Sequence, residues 1–197
     1  MTAAAIRTRV TYLQMLRAPR RRLVDPNRNL QVHQIHAPTV ALYRWLYREV
    51  GSELHWFDRL LMTSEELQAI LGDEQVDLFT LHLDGHPAGY CELDRRSGDE
   101  IELSYFGLFP QFLGRGLGKF FLEWTVCEAW SHHPQRLWLH TCDLDHPAAL
   151  PNYLKAGFEI YRETWVNQTI IDDAAAFQTD TEVPNEGVFT VSYPRAE

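Results

Sequence analysis

Hydrophobic positions along the chain change period several times, and each change marks an element. Val76–Leu83 and His86–Asp94 mix β-branched, aromatic and aliphatic side chains over strand lengths, and Asp84-Gly85 between them is a hairpin turn. A polar turn, Arg95–Asp99, leads into a third strand, Ile101–Phe109, closed by Pro110, which cannot donate to a ladder. From Leu117 onward, Phe120, Phe121, Trp124 and Cys127 recur at helical spacing until His132-His133-Pro134 breaks the chain. Arg136–Cys142 reads as another strand. Ala148–Ala156 follows as a helix with Pro151 in its first turn and Gly157 as its stop, then Phe158–Thr169 as a closing strand.

Upstream, Leu30–His36 reads as the first core strand, and Pro38 as the first residue of a helix carrying Val40, Tyr43, Tyr47 and Val50. Trp45 and Leu46 widen that stripe, and Gly51-Ser52 ends it. Trp56 and Phe57 fall in a loop or short helix, and Thr63–Glu66 is a capping box for a helix through Ile70. Residues 1–29 read as an extension with a strand around Val10 and Tyr12, an arginine run at Arg20–Arg22 and a turn at Asp25-Pro26-Asn27. Residues 170–197 read as a second extension with a helix around Ala174–Phe177 and a short strand, Val188–Tyr193, that can pair with a second chain into a homodimer. Residues 30–169 are the α/β domain between them, without internal repeats.

Composition narrows the function. The formal net charge of −9 argues against nonspecific nucleic-acid binding; it suits a cationic partner such as an amine, or serves solubility alone. No apolar run approaches a membrane span and the N-terminus lacks a signal-peptide core, so the expected compartment is cytoplasmic. Three cysteines at scattered positions fit reduced thiols better than a disulfide framework. The histidines and cysteines between Cys127 and His146 lack the paired spacing of a metal site.

The stretch from Glu100 to Trp130 carries the chemistry. A strand feeding Gly114, Gly116 and Gly118 at the start of a helix offers free N–H groups and the positive end of the helix dipole, a cradle for phosphate. The spacing is not that of a P-loop, where Leu113 would have to be glycine and Phe120 Ser or Thr. Nor is it the dinucleotide fingerprint, which puts glycine where Lys119 stands. It resembles the pyrophosphate loop of the GNAT superfamily of N-acetyltransferases, Gln/Arg-x-x-Gly-x-Gly/Ala after a strand. Gly116 and Gly118 match the two glycines, and Leu113 replaces the polar residue between Gln111 and Arg115. The second GNAT motif lies in DHPAALPNYLKAGF: Ala149, Tyr153 and Gly157-Phe158 match in spacing, with His146 at the family's Asn position.

The resemblance implies a mixed, strongly twisted sheet of six or seven strands with about four helices. It also implies direct acetyl transfer from acetyl-CoA to a primary amine, most simply on a small molecule. The alternatives are a protein N-terminus or lysine as acceptor, or a non-catalytic CoA-binding sensor. On this reading the main chain of Phe106, Gly107 and Leu108 takes the pantetheine arm, where the strand parts from Leu139–Thr141. The loop of Leu113, Gly114, Arg115, Gly116, Leu117, Gly118 and Lys119 holds the pyrophosphate, and His146 and Asn152 flank the cofactor. Tyr153 occupies the family's general-acid position, protonated at neutral pH as a phenol is. An ammonium acceptor must also lose a proton. Glu102, taken by alternation to share a strand face with Ser104 and Phe106, is the chosen base, ahead of Glu92 and of His140 acting through a water.

Overall fold

The computed structural model describes residues 3–19, 29–171 and 190–191. In chain order the elements are β1 (Ala3–Met15), β2 (Leu30–Ile35), α1 (Val40–Gly51), the single turn α2 (Asp58–Leu61) and α3 (Ser64–Leu71). They continue as β3 (Val76–Leu83), β4 (His86–Asp94), β5 (Glu100–Leu108), α4 (Leu117–Ser131), β6 (Arg136–Cys142), α5 (Ala149–Ala156), β7 (Glu159–Ile171) and the two-residue β8 (Thr190–Val191). One sheet runs β7-β1-β6-β5-β4-β3-β2-β8. Its pairings are antiparallel except β5–β6, the parallel pair that needs the long crossover through α4. This is the mixed α/β sheet expected.

Several sequence expectations meet local physics. Thr63 caps α3 as read: its hydroxyl accepts from Glu66 N at 3.2 Å, and the Glu66 carboxylate accepts from Thr63 N at 2.8 Å. At α1 the hydroxyl of Thr39 accepts from Leu42 N at 3.2 Å, so the threonine rather than Pro38 sets the start. The strand read in residues 1–29 forms, but inside the sheet, hydrogen-bonded to β6 on one side and β7 on the other. Val10, Leu13 and Met15 are buried there. Alternation marks a strand without naming its neighbours, so the sequence did not disclose this insertion. β8 pairs with His33 and Gln34 of its own chain. The helix expected at Ala174–Phe177, the Arg20–Arg22 run and the turn at Asp25–Asn27 lie outside the described residues.

Two apolar layers cover the sheet. On one face α4 and α5 bury Phe121, Trp124, Tyr153 and Ala156 against Leu13, Phe79, Leu93, Leu103 and Leu139. On the other, α1 and α3 bury Tyr43, Leu46, Tyr47 and Leu67 against Leu78 and Tyr90. Each fully buried large side chain contributes roughly 1.5–3 kcal/mol of transfer free energy. The site lies where β5 passes between these layers.

Candidate active site

β5 is hydrogen-bonded along β4 as far as Leu108, but to β6 only at Glu100, Ile101 and Glu102. Beyond Glu102 the two parallel strands part, leaving the β6-facing edge of residues 103–108 without a strand partner among the described residues. An extended amide chain can complete such an edge.

A bulge in β5 controls what faces the gap. Glu92 pairs with Tyr105 and Leu93 with Leu103, so Ser104 is the extra residue. The parity of side chains therefore changes there: Ile101 and Leu103 lie in the α4–α5 layer, and so do Phe106 and Leu108. Glu102 is turned the other way, 3.5 Å from His140 Nδ1. This corrects the alternation that put Glu102 and Phe106 on one face; a strict period of two cannot foresee an inserted residue.

After β5, a 3-10 turn over Pro110–Phe112 leads into the glycine loop. Gly114 and Gly116 have φ of 73° and 78°, and a Cβ on either would meet nothing within 4 Å. The backbone there is left-handed and open on its outer side, as a main-chain cradle requires. Gly116 is the N-cap of α4 and no side chain caps that helix, so its first N–H groups point free into the loop. Leu113 and Lys119 are exposed, whereas Leu117 is buried in the core and can offer only its backbone. Arg115 lies over the Phe112 ring at 5.5 Å. Gly107 also carries a packing constraint. A Cβ there would come within 2.2 Å of Val50 Cγ1, so its smallness lets α1 press onto β5.

Tyr153, on α5, is buried with its ring edge-on to Phe106 at 6.4 Å and Phe158 at 6.1 Å. Among the described residues its hydroxyl has no hydrogen-bond partner. Burial first, and then the Asp145 charge, push its pKa up, so it keeps its proton through the neutral range. His146 Nδ1 accepts from Ala148 N at 3.1 Å and so shapes the start of α5, while Asn152 is exposed.

The opposite face is polar and aromatic. Tyr105 of β5 lies against Tyr47 at 5.1 Å and Trp56 at 5.3 Å. Beneath them Glu92, fully buried, accepts from Arg59 Nη2 at 2.6 Å and from the Tyr43 hydroxyl. Arg59 also sits 5.2 Å over the Tyr105 ring. Burial raises the Glu92 pKa, and Arg59 and Tyr43 hold it back. With both oxygens engaged, Glu92 anchors α2 to the sheet and is not available as a base. The sequence reading missed Arg59: one arginine in a four-residue helix has no periodicity to announce it. His140, half-exposed, has its pKa raised above 6.5, first by its hydrogen bond to Glu102 and further by Asp145 and Asp58.

A glycine cradle, a parted parallel pair and a buried phenol beside the gap are now together on one strand, loop and helix. The sequence model described as the acetyltransferase (GNAT) family matches residues 39–158, more than half of the chain. The chain belongs to that family. Among curated proteins, none matches it. A GCN5-related N-acetyltransferase from Sphaerobacter thermophilus superposes on this GNAT chain with a TM-score of 0.60 at 16% identity, over 85% of this chain and 52% of that one. Another from Kribbella flavida gives 0.55 at 12% identity, over 89% and 63%. An aminoglycoside acetyltransferase from an uncultured soil metagenomic sample, in complex with trehalose, gives 0.54 at 14% identity, over 68% and 90%. At these identities the likeness is one of fold. This chain spans between half and two thirds of the length of the Sphaerobacter and Kribbella proteins. Among the described residues, no helix is long and apolar enough to cross a membrane.

Proposed function

We propose that this GNAT chain transfers an acetyl group directly from acetyl-CoA to a primary amine on a small molecule. The observation that carries the reading is the parting of β5 from β6 immediately ahead of an uncapped, glycine-rich helix start. The pyrophosphate of the co-substrate rests on the amides between Leu113 and Lys119, with Gly114 and Gly116 allowing close approach. The pantetheine arm runs along Phe106, Gly107 and Leu108, flanked by His146 and Asn152 at the start of α5. A backbone N–H near Leu108 receives the thioester oxygen as charge develops on it.

The acceptor approaches from the Tyr105 side. Its ammonium first gives a proton to the Glu102–His140 pair, with the imidazole as the receiving group. The free amine attacks the thioester carbon, the C–N bond forms, the C–S bond breaks with its electron pair leaving on sulfur, and the second proton of the attacking nitrogen passes to the thiolate, which leaves a neutral amide and free thiol. Tyr153 meets that sulfur with its hydroxyl. A thiol ordinarily titrates at about 8.5, below a phenol, so Tyr153 acts mainly as a hydrogen-bond donor that steadies the departing thiolate. The acidic, aromatic character of the acceptor face favours a cationic amine.

Thiol release from acetyl-CoA, measured against a panel of small amines and peptides, tests this. Turnover with one or more small amines is expected. Acetylation confined to peptides would make the acceptor a protein, and binding of acetyl-CoA without turnover on any amine would make the chain a CoA sensor.

A further inference from the structure

One hydrogen bond crosses the gap in the sheet and is explained neither by the core nor by the steps above. Trp56 lies between the turn Ser52–Leu54 and α2, on the acceptor side. Its indole N–H donates to Asp145 Oδ1 at 3.0 Å, and Asp145 lies in the loop between β6 and α5, on the far side of the parting strands. Both ends are held firmly. The indole rests on Tyr47 at 5.5 Å and Tyr105 at 5.3 Å, and Trp56 N donates to Gly51 O at 3.2 Å. A Cβ on Gly51 would meet Trp56 Cβ at 2.5 Å, so this seat exists only because residue 51 is glycine. At the other end, Asp145 Oδ2 accepts from Thr141 Oγ1 at 2.7 Å and from Cys142 N at 2.9 Å.

We propose that Trp56 and Asp145 form a fixed strut over the opening between β5 and β6, in which Trp56 is a specificity-determining wall of the acceptor site and Asp145 is the residue that holds it in place. The position of the acceptor site rests on the function proposed above; the strut itself rests on geometry alone. Tyr105 on β5 and Asp145 beyond β6 are the two banks of the gap, and the indole is the span between them. An amine approaching from this face passes the indole edge and must turn towards Glu102 and His140. A ring fixed at both ends selects by shape, whereas one free to swing would admit bulkier amines and water.

The test uses the full chain, labelled with nitrogen-15. The Trp56 indole resonance is identified by its loss in Trp56→Phe. In the wild type that indole proton should exchange with water at least roughly tenfold more slowly than in Asp145→Ala, the size of one hydrogen bond to a charged group. Asp145→Asn keeps an oxygen for the indole and guards against misfolding of the alanine variant. In it the indole should stay protected. With the best acceptor of the amine panel, Trp56→Phe should raise the acceptor KM about tenfold and leave the acetyl-CoA KM within about twofold. Equal indole exchange in wild type and Asp145→Ala, or an acceptor KM unmoved in Trp56→Phe, overturns the proposal. If no amine is turned over, the proposed function fails, and the indole exchange still decides the strut.

Discussion

The two faces of β5 are built by opposite means. Towards α4 and α5 the strand presents Ile101, Leu103, Phe106 and Leu108 to an apolar layer, and the polar groups beside it are mainly backbone, the glycine loop and the free start of α4, with the Tyr153 hydroxyl among them. Towards α1 and α2 it presents Glu102, Tyr105 and the bare backbone of Gly107 to a wall of tyrosines, a tryptophan and a buried ion pair. Main-chain groups recognise what every member of a family shares, because any residue can supply an amide. Side chains recognise what differs. The contrast matches a common co-substrate on one side and a particular acceptor on the other.

The largest expected effect breaks the polar side. Glu92→Ala leaves the Arg59 guanidinium buried without its carboxylate, and denaturant unfolding should show a loss of about 3–5 kcal/mol. A loss below about 1 kcal/mol would mean that Arg59 swings out to water and that the pair does not anchor α2.

Next is the phenol buried under α5. Tyr153→Phe keeps the ring against Phe106 and Phe158, so acetyl-CoA affinity should hold while kcat falls about 100-fold. An unchanged kcat removes the hydroxyl from the reaction. A third variant asks whether Gly107 belongs to packing. Gly107→Ala drives a methyl into Val50 and should cost about 1–3 kcal/mol, and adding Val50→Ala should restore most of it. If stability stays level and only acetyl-CoA binding suffers, the co-substrate rather than α1 needs this glycine.

The smallest effect is a displacement in pH. His140 has a pKa raised above 6.5 chiefly by Glu102, and in the proposed reaction the unprotonated imidazole is the form that takes the amine's proton. Turnover should therefore rise with pH to a midpoint above 6.5. In Glu102→Gln the group that raises the pKa is gone, so that limb should move to lower pH. A limb that stays in place assigns the titration to another group.

How much of this was legible in the sequence divides along the same line. The backbone side was nearly all readable, since the glycines, the strand ahead of them and the Tyr153-to-Gly157 spacing are local patterns with local causes. The polar side was read as a list of aromatics with two carboxylates to choose between, because its contacts join residues far apart in the chain. Arg59 reaches Glu92 across 33 positions, and Trp56 reaches Asp145 across 89. The bulge at Ser104 has no residue-type signature, yet it decides that Glu102 and Phe106 look in opposite directions. Gly107 was read as a cofactor contact, and its close packing under Val50, distant in the chain, was not foreseen. The placement of β1 within the sheet was hidden for a similar reason: alternation fixes a strand's faces and leaves its edges unassigned.

The claim on which the account turns is that the loop from Leu113 to Lys119 and the opening between β5 and β6 together receive acetyl-CoA. Calorimetric titration of acetyl-CoA into the wild-type chain and into Gly116→Val tests it most directly. The account predicts saturable heat at one site per chain in the wild type and none in the variant, because a branched side chain there fills the cradle and strains a φ of 78°. Heat of equal size in both, or in neither, would contradict it.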